Sequence, residues 1–504
     1  MYNASMDYSW KPLPQVQLKA GTYHLYRTRE VDRRFFKVLP GGLTGNEVSF
    51  DFDPGGRDNN GAISPELLLF REQDLDHLWS PRNFKQNGTG LWLYDVSNPT
   101  DRYVATEQNN SGYLQGEYAP WDERLVLNGG IRFEHNVQRI VTSGEQGGIF
   151  YPIPVKLDRN NWLPSVNINY RPDSVFVIRA SYGRTVNRPE FREIAPFADY
   201  DFINNESLTG NPLLKSAVID NYDLRMELYP RRKPNESISI GVFYKNLQTP
   251  IERIRRESSG GYEADLDFLT SVTFFNPDKA KVYGLEMELR KSLSFISGNI
   301  FRKLSVVGNV TLVKSEVSRV FVPDSSGSFG SKAGDGVGSF SGRALQGQAP
   351  YVINGGLFYE NPGWGSKLGL IYNVSGPRIY AIADGNAEQI RAIQQSDEMP
   401  NMEETGLLNI RPSVLELPRH LLDFSFTQRL YRSLQMRINI QNILDAPYHF
   451  VEDQNWNYKY DKEVRMPAHE QVDRDKGYYY YEGDNDYLRY RAGRYYTITF
   501  TYAL

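Results

Sequence analysis

Hydrophobic and polar positions alternate strictly over the last ten residues of the chain, YYTITFTYAL. Tyr496, Ile498, Phe500, Tyr502 and Leu504 share one face of an extended segment, and the residues between them are threonines and an alanine. Because successive side chains of a β-strand point to opposite faces, this two-residue period predicts a strand with one apolar face.

The same alternation recurs along most of the chain. In one segment Leu125, Leu127 and Phe133 lie on one face, whereas Arg132 and Glu134 lie on the other. Such charges would be costly in a dry core without partners, but not beside water. The pattern predicts roughly 15 strands: a weaker first one at residues 2–10, the closing one, and others at residues 16–21, 103–118, 123–134, 162–171, 176–183, 221–228, 238–245, 283–290, 304–315, 351–359, 366–374, 422–427 and 434–441.

The predicted connections alternate between short and long. Short ones are expected near residues 11–14, 119–122, 171–174, 230–236, 291–303, 360–365 and 430–433, and long ones at about residues 32–102, 139–161, 186–217, 248–280, 316–350, 375–418 and 445–493. A barrel with short turns on one side of a membrane and long loops on the other must alternate in this way. A sandwich also exposes polar faces to water but has no reason to alternate. We therefore predict an all-β fold, a transmembrane antiparallel β-barrel.

Composition limits the protein classes to which the chain can belong but does not select one. The chain has 504 residues, no apolar run of 18 residues and a mean hydropathy of −0.54, so no transmembrane helix is expected. The 13% aromatic content suits interfacial girdles, although carbohydrate-active β proteins are also rich in aromatics. The absence of cysteine excludes disulfides, thiolate metal sites and cysteine nucleophiles. A net charge of −4 does not indicate a nucleic-acid partner.

Five phrases in order suggest a family: YGRTVNRPE at 182–190 with IAPF at 194–197, SLTGNPLLK at 207–215 followed by NYDL at 221–224, VYGLEME at 282–288, QNILDAP at 441–447, and the closing strand. With them, the chain resembles the C-terminal part of a TonB-dependent outer-membrane receptor of the type abundant in Bacteroidota. The resemblance implies a barrel of about 22 strands with an N-terminal plug domain and a TonB-contacting segment. We therefore expect residues 1–504 to be a single domain, the C-terminal portion of that barrel.

The start and end of the chain carry two further expectations. The N-terminus lacks the basic start and apolar core of a secretory signal, and the first predicted strand runs downward, so a signal, the plug and the first strands are expected to be missing. The resemblance also implies that the closing strand addresses the barrel-assembly machinery. The usual last residue for that purpose is Phe or Trp, and this chain has Leu504.

No residue is assigned a catalytic, cofactor-binding or metal-binding role. Residues 51–62 look slightly like a calcium loop, but Ala62 stands where the bidentate Glu belongs, so a solvated loop is favoured. The acidic run YEGDND at 481–486 is interpreted as an exposed turn, and the Gly/Ser-rich stretch 327–342 as a mobile external loop. The histidines show no metal-ligand spacing; they are His24, His77, His135, His420, His449 and His469.

Charged residues on the polar face of the predicted strands are a more interesting set. The plain interpretation, which we favour, is a hydrated lumen wall, and the functional one is that some of them pair with the missing plug. They are Arg132, Glu134, Arg179, Asp223, Arg225, Glu227, Glu286, Glu288, Arg290 and Arg437. Substrate contacts would more plausibly come from loop aromatics such as Trp79, Tyr380 or Trp456, but the substrate-binding residues stay unknown.

The resemblance implies a function as a receptor and transporter for TonB-dependent active uptake of a scarce solute, without chemistry on that solute. The expected partners are outer-membrane lipid, an external small solute or oligomer, the TonB complex and plug through the missing part, and the assembly machinery. The transported solute is left open. The alternative is an outer-membrane barrel with an assembly, secretion or adhesion role, and a third option is a soluble carbohydrate-active β enzyme.

Overall fold

A computed structural model describes residues 1–40, 80–84, 91–95, 97, 99–121, 124–146, 149–201, 206–230, 236–257, 270–318, 343–383, 413–431, 433–453, 458–460, 472–473, 478–479 and 484–502. By their contacts the residues form two compact units. Unit 1 comprises Met1–Arg27, Glu107–Gln138 and Leu157–Leu504, and unit 2 comprises Thr28–Thr106 and Arg139–Lys156.

The described part of the chain is almost entirely β-structure. One short helix, α1, covers Phe191–Ile194, and 3₁₀ turns cover Pro81–Asn83, Pro99–Asp101 and Phe301–Lys303. Within the described ranges, no helix is long and apolar enough to cross a bilayer. The strands are β1 (Tyr2–Leu13), β2 (Val16–Asp32), β3 (Phe36–Pro40), β4 (Leu91–Asp95), β5 (Arg102–Tyr118), β6 (Leu125–Gln146), β7 (Ile149–Tyr170), β8 (Phe176–Asn187), β9 (Ala198–Asp201), β10 (Glu206–Thr209), β11 (Ala217–Leu228), β12 (Ser237–Gln248), β13 (Glu252–Glu257), β14 (Thr270–Phe275), β15 (Lys279–Ser292), β16 (Leu304–Ser318), β17 (Tyr351–Asn361), β18 (Ser366–Ser375), β19 (Arg378–Ala383), β20 (Ser413–Glu416), β21 (His420–Tyr431), β22 (Leu434–Gln441), β23 (Tyr448–Asp453), β24 (Val472–Asp473), β25 (Tyr478–Tyr479), β26 (Asn485–Tyr490) and β27 (Tyr495–Tyr502).

Fifteen of these strands form one sheet, here called the wall sheet, in the order β1-β2-β5-β6-β7-β8-β11-β12-β15-β16-β17-β18-β21-β22-β27. Each strand therefore lies beside the wall strands that precede and follow it along the chain, and the registers that the structure describes are antiparallel. The prediction of about 15 strands, including the weak first one and the closing one, is confirmed.

The two side-chain sets of the wall sheet separate as the alternation predicts. On one face, the apolar face, Tyr182, Tyr222, Tyr244 and Tyr283 stand directly opposite one another on β8, β11, β12 and β15. The next rows away from them on these four strands are apolar: Ala180, Leu224, Val242 and Leu285, then Ile178, Met226, Ile240 and Met287, then Phe176, Leu228, Ile238 and Leu289. The other face, the polar face, carries the predicted charges.

One predicted connection is wrong. Residues 139–161 do not form a long loop, because β6 runs to Gln146 and β7 begins at Ile149. In β6, Ile140 and Thr142 are buried while Arg139 and Val141 are exposed, so the strand period continues through the region. Polar residues and the prolines at 152 and 154 obscure that period in the sequence. The first turn also shifts: it lies at residues 14–15 rather than 11–14, because Leu13 still pairs with Val16.

A second sheet of unit 1, here called the loop sheet, is built from the long connections of the wall. Its order is β26-β23-β20-β19-β13-β14-β10-β9. The strands β9 and β10 lie between β8 and β11, β13 and β14 between β12 and β15, β19 and β20 between β18 and β21, and β23 and β26 between β22 and β27. Two of its junctions, β10–β14 and β13–β19, are parallel. Residues predicted as loops therefore form an ordered sheet.

Unit 2 contains the antiparallel strand pair β3–β4, which lies in the long connection expected at residues 32–102. Its buried side chains include Leu91, Tyr103, Ala105 and Ile140. The Asp95 carboxylate accepts hydrogen bonds from the Arg34 guanidinium and from the Ser97 backbone, and these bonds lower the pKa of Asp95 from 3.8 to about 2.

Candidate functional site

The two faces of the loop sheet differ in chemistry. On one face Ile254, Ile379, Ile382, Leu415 and Val451 are buried in a single apolar cluster. The same cluster includes side chains of the wall strands, namely Leu247, Ala280, Val282 and Val317. The loop sheet is therefore packed on the wall through this face, and the residues that alternate with the buried ones lie on the other face.

That other face carries a group of ionic side chains, here called the Arg255 cluster, composed of Glu206, Arg253, Arg255, Glu452 and Tyr487. The Arg255 guanidinium lies 3.2 Å from Glu206 Oε1 and 3.2 Å from Glu452 Oε1. Arg253 Nη2 lies 2.9 Å from Glu206 Oε2. The Tyr487 hydroxyl donates to Glu206 Oε1 at 2.9 Å, and its ring lies 4.8 Å from the Arg255 guanidinium.

The Arg255 cluster joins three connections that are distant in sequence. Glu206 comes from the β8–β11 connection, both arginines from β12–β15, and Glu452 and Tyr487 from β22–β27. Glu206 and Arg255 are almost fully buried. Burial, together with the charge of Glu206, raises the pKa of Tyr487 well above its ordinary value, so its hydroxyl remains a donor. Buried charges need partners on all sides, and the cluster holds the three connections in one arrangement.

A second buried pair adds a fourth connection. Arg343, which follows β16, donates from Nη1 and Nη2 to the two carboxylate oxygens of Glu252, at 2.9 and 2.6 Å. Burial by itself lowers the pKa of Arg343, but the attraction of Glu252 outweighs it and the pKa is raised. The Gln346 backbone N–H donates to Glu252 at 2.9 Å, and the Gln346 side chain donates to the Tyr380 carbonyl at 2.5 Å.

Exposed rings lie beside these buried charges. Tyr380 on β19 is 36% exposed, and its ring lies 5.5 Å from the Arg253 guanidinium and 5.0 Å from the Phe450 ring. Further along the sheet, Tyr448 and Tyr490 stack with ring centroids 4.8 Å apart. Such a surface offers ring faces for stacking and guanidinium and hydroxyl donors for polar groups. Of the three loop aromatics selected from the sequence, the structure places Tyr380 here, whereas Trp79 and Trp456 lie outside the described residues.

The phrase YGRTVNRPE leads into α1, which packs on the polar face of the wall. Gln138 Nε2 donates to the Pro189 carbonyl at 3.1 Å, and Arg188 pairs with Glu134. The Phe191 ring lies 4.5 Å from the Arg27 guanidinium. Phe191, Ile194 and Phe197 are buried. In the sequence this segment was one of the phrases that suggested a family. In the structure its side chains pack against the polar face of the wall.

The predicted polar-face charges pair largely with one another. Arg132 Nε bonds Glu134 at 2.6 Å, and Arg179 Nε lies 3.3 Å from Glu227. Arg225 bonds Glu227 at 3.0 Å and reaches Glu288 at 2.8 Å. The intervening strand β12 places Gly241 opposite Arg225, so the guanidinium passes over a position without a side chain. This pairing supports the hydrated-wall interpretation for these residues, and contact of the set with a plug stays a prediction.

The remaining sequence candidates have mixed outcomes. The interpretation of 481–486 as an exposed turn is wrong for Asp484, which is buried, and for Asp486, which lies on β26 and bonds His449 Nε2 at 2.5 Å. Residues 51–62, 327–342 and Glu482 lie outside the described part of the chain. Among the described side chains, no three His, Asp or Glu groups could together hold a metal ion.

The Arg255 cluster was not anticipated from the sequence. The stretch ERIRRE at 252–257 alternates charged residues around Ile254, which is a period-2 signal. It lies inside residues 248–280, where a loop was expected, and its partners are nearly 50 to more than 230 residues away in the chain, so the sequence offered no way to join them.

Comparison with known proteins gives one family and several structures. The family model described as "TonB dependent receptor-like, beta-barrel" matches residues 1–443. Comparison with curated protein sequences gives no match.

Three solved structures are similar to the chain at 12% identity each. The ferric yersiniabactin uptake receptor FyuA from Yersinia pestis has a TM-score of 0.48 over 92% of this chain and 50% of its own. The ferric-catecholate import receptor Fiu from K12 E. coli has a TM-score of 0.48, and the match covers 89% of this chain and 50% of Fiu. The copper transporter OprC has a TM-score of 0.49, and the match covers 88% of this chain and 51% of OprC. The chain spans about half the length of these proteins.

Proposed function

The chain belongs to the TonB-dependent receptor β-barrel family and is an outer-membrane protein, and from this premise we propose that it is the C-terminal part of a receptor for active, TonB-dependent uptake of a scarce solute. The wall sheet is its membrane-spanning part, and the long connections lie on the external side. The solute binds to the external connections, and energy delivered through TonB moves a plug that the missing N-terminal part supplies.

The observation that carries this proposal is that four long connections of the wall form one loop sheet with a buried ionic cluster. Unconnected loops would present the solute with a changing surface, whereas a packed sheet holds its rings and donors in place. Preorganised groups bind a solute at a smaller entropic cost. Tyr380 and the partly exposed Arg253 beside it are the residues that we propose contact the solute.

The ends of the wall sheet support the view that residues 1–504 are one portion of a larger barrel. Strands β1 and β27 occupy the two ends of the sheet order. The side chains of Tyr8, Trp10, Phe500 and Tyr502 on them are mostly exposed. We propose that further strands of the same protein pair with these edges, and that the aromatic face of β27 is the surface that the barrel-assembly machinery recognises.

The family is one of transport receptors rather than enzymes, and we propose that the chain performs no chemistry on the solute. The family match does not favour the alternative role in assembly, secretion or adhesion. Whether the receptor is of the Bacteroidota type stays a prediction.

The test is uptake by cells that express the complete receptor, with siderophores, cobalamin, glycans and peptides as candidate solutes. For the solute that is taken up, Tyr380→Ala should raise the concentration for half-maximal uptake roughly tenfold, because a central contact residue is lost. The matched control is Tyr244→Ala, since Tyr244 is 37% exposed but lies on the apolar face of the wall. Uptake that persists in cells without TonB, or an upstream polypeptide without a plug, would refute the proposal.

A further inference from the structure

The apolar face of the wall sheet changes chemistry within one row of residues. The tyrosine row, Tyr182, Tyr222, Tyr244 and Tyr283, continues onto β16 at Lys314, which stands opposite Tyr283. One row closer to the long connections, the same face carries Arg184, Asp220, Asn246, Lys281 and Glu316 in continuous register. The rows on the other side of the tyrosines are apolar on β8, β11, β12 and β15.

This change marks the boundary between hydrocarbon and headgroups on the long-connection side of the membrane. Outer-membrane barrels have an outward apolar band that is bordered by aromatic side chains at both interfaces. Tyrosine rings lie at headgroup level because one end is apolar and the hydroxyl is polar. The charged row above them therefore lies at the depth of the lipid headgroups.

The charges of this row are distributed unevenly. On β8 and β11, Arg184 Nε bonds Asp220 at 2.8 Å, so that pair has no net charge. On β15 and β16, Lys281 and Lys314 accompany the single carboxylate of Glu316, which lies 2.9 Å from Lys314 Nζ. Lys279 stands on the same face one row further from the apolar band. All three lysines are exposed, and the Lys314 side chain is 66% exposed.

We propose that the lysine patch, Lys279, Lys281 and Lys314, binds the phosphate of a phosphorylated lipid in the leaflet on the long-connection side. A lysine at this level keeps its alkyl stem along apolar neighbours and places its ammonium among the headgroups. Basic residues at a membrane surface attract anionic headgroups, and here Lys281 and Lys314 both lie beside the single carboxylate of Glu316. Below the patch, Leu285 and Leu312 provide the apolar surface that an acyl chain covers. Free phosphate would use the lysines but gain nothing from those leucines.

The experiment uses the complete receptor in micelles of a neutral detergent, titrated with bisphosphorylated lipid A and with the same lipid after removal of its phosphates. Bound lipid is counted by native mass spectrometry. The wild-type protein should bind the phosphorylated form in preference. The double variant Lys281→Glu with Lys314→Glu should bind it about tenfold more weakly or worse, because two attractive charges become repulsive.

Two further variants make the result specific. Lys367→Glu is the matched control. The Lys367 side chain is also 66% exposed and bonds Glu360. It lies on the wall strand β18, but on the face opposite to Leu368 and therefore not on the apolar face. It should leave binding unchanged. Lys281→Arg with Lys314→Arg keeps the charge and should bind as the wild type does, which also covers the case in which the Glu variant does not fold.

Three results would overturn the proposal. They are equal binding by the double Glu variant and the wild type, equal loss in the Lys367 control, and displacement of the lipid by inorganic phosphate at the same concentration. The inference depends on the membrane location of the wall sheet and not on solute uptake, so its failure and that of the proposed function are distinguishable.

Discussion

The wall sheet and the loop sheet use the same kind of strand but are stabilised differently. In the wall, neighbouring strands are also neighbours in sequence, and the charges on the polar face form partly exposed pairs such as Arg225 with Glu288. In the loop sheet, strands from four connections meet, two junctions are parallel, and the charges are buried, as for Arg255 with Glu206.

This difference shows where the two sheets are vulnerable. A partly exposed pair contributes little to stability because water and salt screen it. A buried pair is costly to break because one charge then stays in a low-dielectric environment without its partner. Substitutions in the ionic groups should therefore damage the loop sheet and leave the wall intact, whereas substitutions that disturb strand spacing should damage the wall.

The largest effect is expected for Arg343→Ala. The Arg343 and Glu252 side chains are 2% and 1% exposed, so removing the guanidinium leaves a buried carboxylate without its bidentate partner. The local free energy of opening at β13 should fall by about 3–5 kcal/mol. Hydrogen exchange of the β13 and β14 amides in micelles should accelerate, while the amides of β11 and β12 keep their protection.

The control for this prediction is Arg378→Ala. Arg378 also bonds a carboxylate of the loop sheet, Glu416, but its side chain is 44% exposed. Exchange should change little in this variant. If both variants gave the same acceleration, burial of the pair would not be the cause.

A steric change in the wall should rank second. Gly284 on β15 has no room for a side chain, because an added Cβ would lie 2.3 Å from the Leu312 carbonyl oxygen and 2.6 Å from the Phe243 ring. Gly284→Ala should therefore force β15 and β16 apart and destabilise the wall by about 1–3 kcal/mol. Heat-dependent gel migration should show an earlier transition of the folded form.

Gly355→Ala is the matched substitution for Gly284→Ala. Gly355 lies on the wall strand β17, and an added Cβ would meet nothing within 4 Å. The transition temperature should stay at the wild-type value or rise slightly, because alanine restricts the unfolded chain. A loss equal to that of Gly284→Ala would show that any substitution of a wall glycine is harmful.

A smaller effect is expected for Arg225→Met on the polar face of the wall. This change removes the bonds to Glu227 and Glu288. Glu288 is exposed, and the buried Glu227 carboxylate keeps its contact with Arg179 and the hydrogen bond from the Tyr229 hydroxyl, so the free energy of unfolding should change by about 0–1 kcal/mol. Urea-induced unfolding monitored by gel migration provides the measurement. A double-mutant cycle with Glu288→Gln should give a coupling energy in the same range, and a coupling of several kcal/mol would contradict the hydrated-wall interpretation.

The smallest effect concerns the exposed ion pair of Arg34 and Asp95 beside the β3–β4 strand pair. The pKa of Asp95 falls from 3.8 to about 2 through its hydrogen bonds with Arg34, the largest cause, and with Ser97. These bonds therefore stabilise the β3–β4 strand pair above pH 3.8, and this contribution disappears as the pH falls toward 2. Amide exchange of Lys37 and Val38, corrected for the intrinsic pH dependence, should accelerate over that interval. Asp95→Asn should remove this pH dependence, and an unchanged profile would refute the assignment.

The alternation of side chains by itself determined the wall sheet of this protein. Tyr222, Leu224 and Met226 predict one face, and Asp223 and Arg225 the other, because a strand next to its sequence neighbour needs only local information. The family phrases in turn predicted the family, and the family match over residues 1–443 confirms it.

The tertiary structure decided what the connections do. Glu206 and Tyr487 are 281 residues apart in the chain, yet their side chains bond at 2.9 Å. The hydrophobic period cannot reveal such a contact, because it reports which face of a strand is buried and not which distant strand covers it. The loop sheet and its ionic cluster form only when long loops close and bring distant segments together. No local pattern in the sequence shows which segments will meet.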